Sequence, residues 1–429
     1  MKRNKFLEST IILLIGGFIT KVLGFIIRIV YTRMVGSDAI SLYTIVTPTY
    51  SLLLTIATLA LPIAISKLIA EEKLNSKKII FSSGLIIFIL NVLIILFVIL
   101  FSDFIANSLL KEPRSKLLLI AMALTFPFVS ISSIIKGYFY GKQKMIPHTV
   151  SNIIEQIVRI VLIYIIIPPL VEINITYAVI GLILLSVASE LASIITFLFF
   201  LPRKFKIRKE DIKPDMGTIK NILGISLPTV SSRLIGNIGF FLEPIILTNL
   251  LLFSGYSNNY ILTQYGAYNA YAISLLTMPS FFVMAISQAL IPEISKFYAN
   301  RDFKMVKRRY KQAISISFII GLIFSLIILI YRNQLLVVLY NTNIGSNYIL
   351  VLAPFFVLFY LEGPLISTLQ AIGKANETMK VTLIGIIVKL IVMAVLSLIH
   401  IGMYSLVIAE IVDIILVVFL NMKKIHIYI

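Results

Sequence analysis

Long apolar runs alternate with short charged or turn-forming tracts along the whole chain. Bounded by those tracts, the runs fall at about residues 9–33, 40–66, 79–101, 117–138, 148–170, 176–200, 218–253, 266–295, 313–331, 348–372, 378–399 and 401–421, numbered here as spans 1 to 12. A helix rising 1.5 Å per residue needs roughly 20 apolar residues to cross a hydrocarbon core of about 30 Å. The pattern therefore predicts an all-α polytopic membrane protein with about twelve transmembrane helices.

Composition sharpens this. With 59% hydrophobic and 13% charged residues over 429 positions, and a mean hydropathy of +1.01, the chain is excluded from the soluble globular class. The net charge of +19 would suit nucleic acid on a soluble fold with a basic face, but here the bases lie in short tracts between apolar runs. No nucleic-acid partner is expected. There is no cysteine, and the three histidines are scattered, so neither a disulfide framework nor metal catalysis is expected, and no cofactor beyond a coupling ion, Na⁺ or H⁺. The first run carries Lys21 and Arg28 and lacks a small-residue cleavage site, which predicts a retained helix rather than a signal peptide.

Orientation follows from the bases. Lys2, Arg3 and Lys5, and the tracts 67–78, 136–144, 203–220, 296–311, 374–380 and 423–424, are basic, whereas the loops near 168–175, 254–265 and 400–403 contain no Lys or Arg. Loops rich in Lys and Arg are retained inside, which predicts cytoplasmic termini. Lys111, Arg114, Lys116 and Arg332 are the main exceptions.

The richest basic segment, PRKFKIRKEDIKP (Pro202 to Pro214), lies near the middle of the chain. It predicts a cytoplasmic linker, 202–217, between lobes 1–201 and 218–429 of six spans each. A repeat agrees. Thr20-Lys21-Val22-Leu23-Gly24 echoes Ser232-Arg233-Leu234-Ile235-Gly236, Pro62, Ser66 and Lys67 echo Pro292, Ser295 and Lys296, and Gly141-Lys142 echoes Gly373-Lys374. Lobes with even span numbers insert the same way up, related by an axis along the membrane normal, with a substrate site expected between them. Prolines 48, 62, 127, 228, 279 and 292 lie in or near spans; they bend helices for packing or let spans 2, 7 and 8 flex.

Charges within spans carry the functional reading, because each costs about 2.5–3.5 kcal/mol at the bilayer centre. Lys21, Arg28 and Arg233 have apolar neighbours and no acid three or four residues away on their own helix. They are expected to line a wet, cationic cavity that attracts anions, a guanidinium offering a planar fork to phosphate or carboxylate. Glu155 and Arg159, four apart, share a helix face and form a structural ion pair or a functional one. Glu243 and Lys389 are either each other's counterions or, for Glu243, a binding point for a coupling H⁺ or Na⁺. Glu190, Glu362, Glu410 and Asp413 are read as structural or as snorkelling towards the interface.

Thr20 to Gly36 (TKVLGFIIRIVYTRMVG) with the SLY that follows, LPIAISKLIAEE (Leu61 to Glu72), Ser130 to Ile160, and Tyr265 to Ala299 resemble the stage V sporulation protein B and polysaccharide transporter group. That group belongs to the multidrug/oligosaccharidyl-lipid/polysaccharide (MOP) exporter superfamily, alongside the lipid II flippases. The resemblance implies two six-helix bundles in a V shape, in a bacterial cytoplasmic membrane. It implies flipping of an undecaprenyl-diphosphate-linked sugar, with Lys21, Arg28 and Arg33 meeting the diphosphate and Glu243 contributing to a cation site. Glycan-synthesis proteins are implied partners of a monomeric chain. Arginines that Gram-negative-type flippases carry on helices 2 and 8 are absent from those helices here, and the two further carboxy-terminal helices of the peptidoglycan and sporulation proteins are not expected. Lipid II, an O-antigen-type or a teichoic-type precursor therefore all stay open. The rival readings are a drug or cation antiporter of the same superfamily, which favours an acidic and aromatic cavity, and a membrane-embedded glycan ligase or glycosyltransferase. The latter needs acids in a sizeable outer loop, and only Asp38, Asp103, Glu112 and Glu172 are on offer.

Overall fold

A computed structural model describes residues 5–72, 74–201 and 209–428. The described residues form helices and connecting turns, with no strand. In order these are α1 (Lys5–Thr58), α2 (Leu61–Ala70), α3 (Ser76–Phe104), which runs into a π-helical turn (Ile105–Leu109), α4 (Ser115–Gly141), α5 (Met145–Ile173), α6 (Ile175–Phe199), the single turn α7 (Lys209–Ile212) and α8 (Met216–Phe253). There follow α9 (Asn258–Gly266), a second π-helical turn (Ala267–Ile273), α10 (Ser274–Thr277), α11 (Ser280–Ala299), α12 (Phe303–Ile330), α13 (Arg332–Tyr340), α14 (Ser346–Ala371), α15 (Ala375–Ser397) and α16 (Tyr404–Tyr428).

Ten stretches of described helix are long and apolar enough to span a membrane, or eleven when α9 to α11, bent by 54°, count as one. The first stretch, Ile15–Ala70, has 56 residues, roughly 84 Å of helix, far more than one crossing. It is broken at Gly36, with φ 77° and ψ −179°, a conformation essentially confined to glycine. The arms on either side correspond to spans 1 and 2, which accounts for twelve. Span 2 is interrupted again at Leu59 and Ala60, both with positive φ, before Pro62 opens α2 in its first turn, where its missing N–H is harmless. Pro279 marks the corresponding break ahead of α11.

The chain divides into two compact units, Met1–Phe241 and Leu242–Ile429. By packing, the boundary falls inside α8, not at the basic segment. The reason is local: Ile222 and Val230 of α8 are buried in the first unit's core with Leu61, Ile65 and Ile69 of α2 and Phe139 of α4, and Asn237 donates to Thr55 Oγ1 at 2.7 Å. Residues 202–208 of the expected linker lie outside the described residues. Its end does not: Asp211 is buried and pairs with Lys77 at the start of α3, 3.2 Å away.

Two of the three echoes in the sequence reappear as packing. In the first unit α2 lies on α4, close enough that a Cβ on Gly141 would stand 2.9 Å from the Ser66 carbonyl oxygen. In the second unit α11 lies on α14, where Ser295 Oγ donates to the Ala371 carbonyl at 3.0 Å. Leu290 and Ile294 of α11 pack there with Leu361, Leu365 and Leu369 of α14, as α2 and α4 do in the first unit. One expectation changes. Lys136, read from sequence as part of a basic loop, sits inside α4, which continues to Gly141.

Candidate functional site

Lys21, Arg28 and Arg33 are exposed side chains on the first arm of α1. Lys21 and Arg28 are seven residues apart, close to two full turns, so they lie on one face; Arg33, five further on, is turned by about 140° from Arg28. Phe18, Val22 and Ile26 on the same arm are also exposed, so this arm presents apolar and cationic surface together. Its packing anchor is Gly16, whose missing Cβ leaves room for Thr149 of α5. Arg233 is likewise exposed, on α8 within the same unit.

The remaining ionisable groups gather into two buried networks. In the first unit, Glu155 of α5 is 7% exposed and receives Arg159 Nη2 at 3.1 Å on its Oε1 and Lys136 Nζ at 3.8 Å near its Oε2. Arg159 also donates to Ser189 Oγ of α6, at 2.9 Å. Glu190, beside Ser189, is buried, and its Oε2 has no hydrogen-bond partner. Two bases therefore meet two acids, and α4, α5 and α6 are tied together by a charge-balanced cluster.

The second network is not balanced. Glu243 of α8 is 4% exposed; its Oε2 accepts from Lys389 Nζ of α15 at 2.7 Å and its Oε1 from the Tyr265 hydroxyl at 3.1 Å. The same ammonium donates to Glu410 Oε2 of α16 at 2.6 Å. Asp413 follows three residues after Glu410, on the same face of α16, its Oδ1 buried without a partner, and Glu362 of α14 lies within electrostatic reach of both. Tyr265 is the residue before Gly266, where α9 passes into the π-helical turn that also buries Tyr268 and Tyr271. Such turns shift the register of a helix and recur at functional sites. Four acids thus face one base. Glu410 was read from sequence as structural or snorkelling; the structure makes it the second carboxylate on Lys389. Sequence spacing carried no sign of this, because the partners are on different helices.

The acids considered for surface chemistry are mostly engaged: Arg114 binds Asp38 at 3.0 Å and Glu112 at 2.8 Å, and Lys116 binds Asp103 at 2.8 Å. Among the described residues no group of three or more His, Asp or Glu is arranged to hold a metal ion. A groove of about 620 Å³ in the first unit, between the second arm of α1 and α3, is walled by apolar side chains including Leu52, Ile56, Leu93, Phe97 and Phe104.

Comparison with known proteins agrees with this architecture. The polysaccharide biosynthesis protein family matches residues 6–298, and the MatE family matches residues 244–396. Stage V sporulation protein B of Bacillus subtilis (strain 168) is 36% identical over 399 residues, covering 91% of this chain and 77% of that protein. Lipid II flippase MurJ of the same organism is 23% identical, over 90% of this chain and 76% of its own length. Among solved structures, an inward-facing multidrug resistance MATE family transporter of the MOP superfamily superposes with a TM-score of 0.74 at 15% identity, covering 94% of this chain and 92% of that one. The last likeness shows the fold.

Proposed function

The chain belongs to the polysaccharide biosynthesis protein family, within the MOP exporter superfamily, and from that premise we propose that it flips a polyprenyl-diphosphate-linked sugar across the bacterial cytoplasmic membrane. The observation that carries the reading is the exposure of Lys21, Arg28 and Arg33 on the first arm of α1, and of Arg233 on α8, within apolar runs of those helices. A sugar diphosphate cannot enter hydrocarbon, whereas its prenyl tail can remain there. Cations inside a span are tolerated where water or an anion meets them, and a diphosphate is an anion that guanidinium groups grip in bidentate fashion. In this reading Lys21, Arg28 and Arg233 hold the diphosphate, with Arg33 presenting its charge on another face of the same arm, as the two lobes alternate access with segment 202–217 and both termini in the cytoplasm. The carrier arrives from glycan-synthesis proteins, and the chain works as a monomer.

Lipid II is one cargo of the proposed class, other cell-wall or polysaccharide precursors the rest. Depleting the protein and analysing lipid-linked glycans by leaflet tests the reading: one such glycan accumulates on the inner leaflet, and an unchanged distribution contradicts it. A second reading, a cation-coupled drug antiporter, is favoured by the four acids around Lys389. Unaltered drug susceptibility on depletion separates it from the first. The ligase or glycosyltransferase reading has less support, since Arg114 and Lys116 hold three of the four acids it would use.

A further inference from the structure

We propose that the Lys389 ammonium is the resident cation of the second unit's carboxylate site, standing where a free sodium ion would otherwise be held, so that this chain takes no sodium there. The family resemblance assigns a cation site to the acid on the seventh span, Glu243. The geometry around that acid does not fit a metal ion. Both of its oxygens are already engaged, one by the Tyr265 hydroxyl at 3.1 Å and the other by Lys389 Nζ at 2.7 Å. The second carboxylate that a cation would need, Glu410, accepts from the same nitrogen at 2.6 Å. Those distances belong to strong charge-assisted hydrogen bonds. An ammonium has no lone pair and three donors, so it serves the two carboxylates as a cation would and is fixed to α15 by its own side chain.

Electrostatics sharpens the exclusion. A sodium ion entering beside Lys389 would stand next to another unit positive charge in a poorly screened interior, where like charges repel strongly. Lys389 cannot step aside without leaving its own charge buried and unpaired, which is more costly than the pair itself. The groups facing the ammonium or its carboxylates are Glu243 of α8, Tyr265 and Tyr268 of the α9 segment, Glu362 of α14, and Glu410 and Asp413 of α16. This set still has more acids than bases. The occupancy of the site does not depend on the transport reading.

The test is thermal unfolding of the purified full-length protein in sodium, potassium and choline chloride at equal ionic strength. The expected result is one midpoint in all three salts for the wild type. A sodium-selective rise in the wild-type midpoint that disappears in Glu243→Gln would overturn the proposal. Lys389→Ala is expected to unfold at a lower temperature in potassium and choline and to recover in sodium, its midpoint climbing with sodium concentration by mass action. If Lys389→Ala shows no sodium response, the ammonium does not stand in for a cation and the proposal fails. Should that variant not fold, Lys389→Ala combined with Glu410→Gln, which leaves a single carboxylate, is read by the same criterion. No cargo enters the measurement, so a failure of the flippase reading is seen separately, in the glycan distribution.

Discussion

Individual charged residues divide into those the sequence placed with their partners and those it could not. Glu155 and Arg159 are four apart on one helix, and their 3.1 Å contact follows from that spacing. Lys136 and Glu410 join their networks from other helices, and pairing between helices leaves no periodic trace. The exposed cations lead to a prediction at this scale. Arg28→Ala or Arg233→Ala should lower lipid-linked sugar translocation at least tenfold, a loss of about 1.4 kcal/mol or more in the transport barrier, with membrane abundance unchanged. Arg→Lys at the same positions separates two causes: partial retention shows that charge suffices, and full loss shows that the bidentate fork is needed. Lys389 makes a different prediction. Removing the base of a buried pair strands carboxylates, which typically costs 3–5 kcal/mol, so Lys389→Met should lower the unfolding midpoint strongly. Adding Glu243→Gln and Glu410→Gln should restore much of it, as scanning calorimetry would reveal.

The helices themselves were legible as apolar runs, because bilayer thickness sets a length that few other constraints imitate. Their breaks were legible only in part. Pro62 and Pro279 announce the interruptions of spans 2 and 8, the first of them at the positive φ of Leu59 and Ala60, whereas the two π-helical turns have no composition of their own. Gly36 is the break that turns one continuous helix into two crossings. Gly36→Ala meets no neighbour within 4 Å, so its penalty is backbone strain alone, about 1–3 kcal/mol, measurable as reduced thermal stability. Gly141→Ala acts by contact instead, since its Cβ would stand 2.7 Å from Ile69 Cβ; overpacking of about 1–3 kcal/mol is expected. Gly17→Ala, with open space around it, is the control and should be neutral or slightly stabilising. At the start of α8, Asp215 accepts from the Thr218 hydroxyl at 2.7 Å and the Thr218 amide at 2.8 Å, and these bonds hold its carboxyl below the usual value. A depressed folded pKa means the stabilisation is complete above the unfolded value, about 3.9, and is lost as pH falls through the folded one. Asp215→Asn should therefore be less stable than the wild type at neutral pH, and the difference should vanish under strong acid.

At the scale of the whole molecule, two of the three echoes fall where the units share a packing scheme, α2 on α4 in one and α11 on α14 in the other, whereas Lys21 and Arg233 of the remaining echo both lie in the first unit. Each unit also ties its helices with a buried ionic cluster, yet one is balanced and the other is acid-rich. That asymmetry was hidden in the sequence, where the net charge of +19 reports the basic tracts between spans and not the buried groups. The proposed headgroup site, the cations of α1 and α8, is thus built from different residues than the acid-rich cluster around Lys389. The most direct test of the central claim reconstitutes the purified protein in liposomes that contain a fluorescent undecaprenyl-diphosphate-linked sugar and follows the label's accessibility to a membrane-impermeant quencher. The account predicts rapid transfer between leaflets by the wild type and none above the protein-free rate by Arg28→Ala. A wild type that moves no label, or an Arg28→Ala variant that moves it at the wild-type rate, would contradict it.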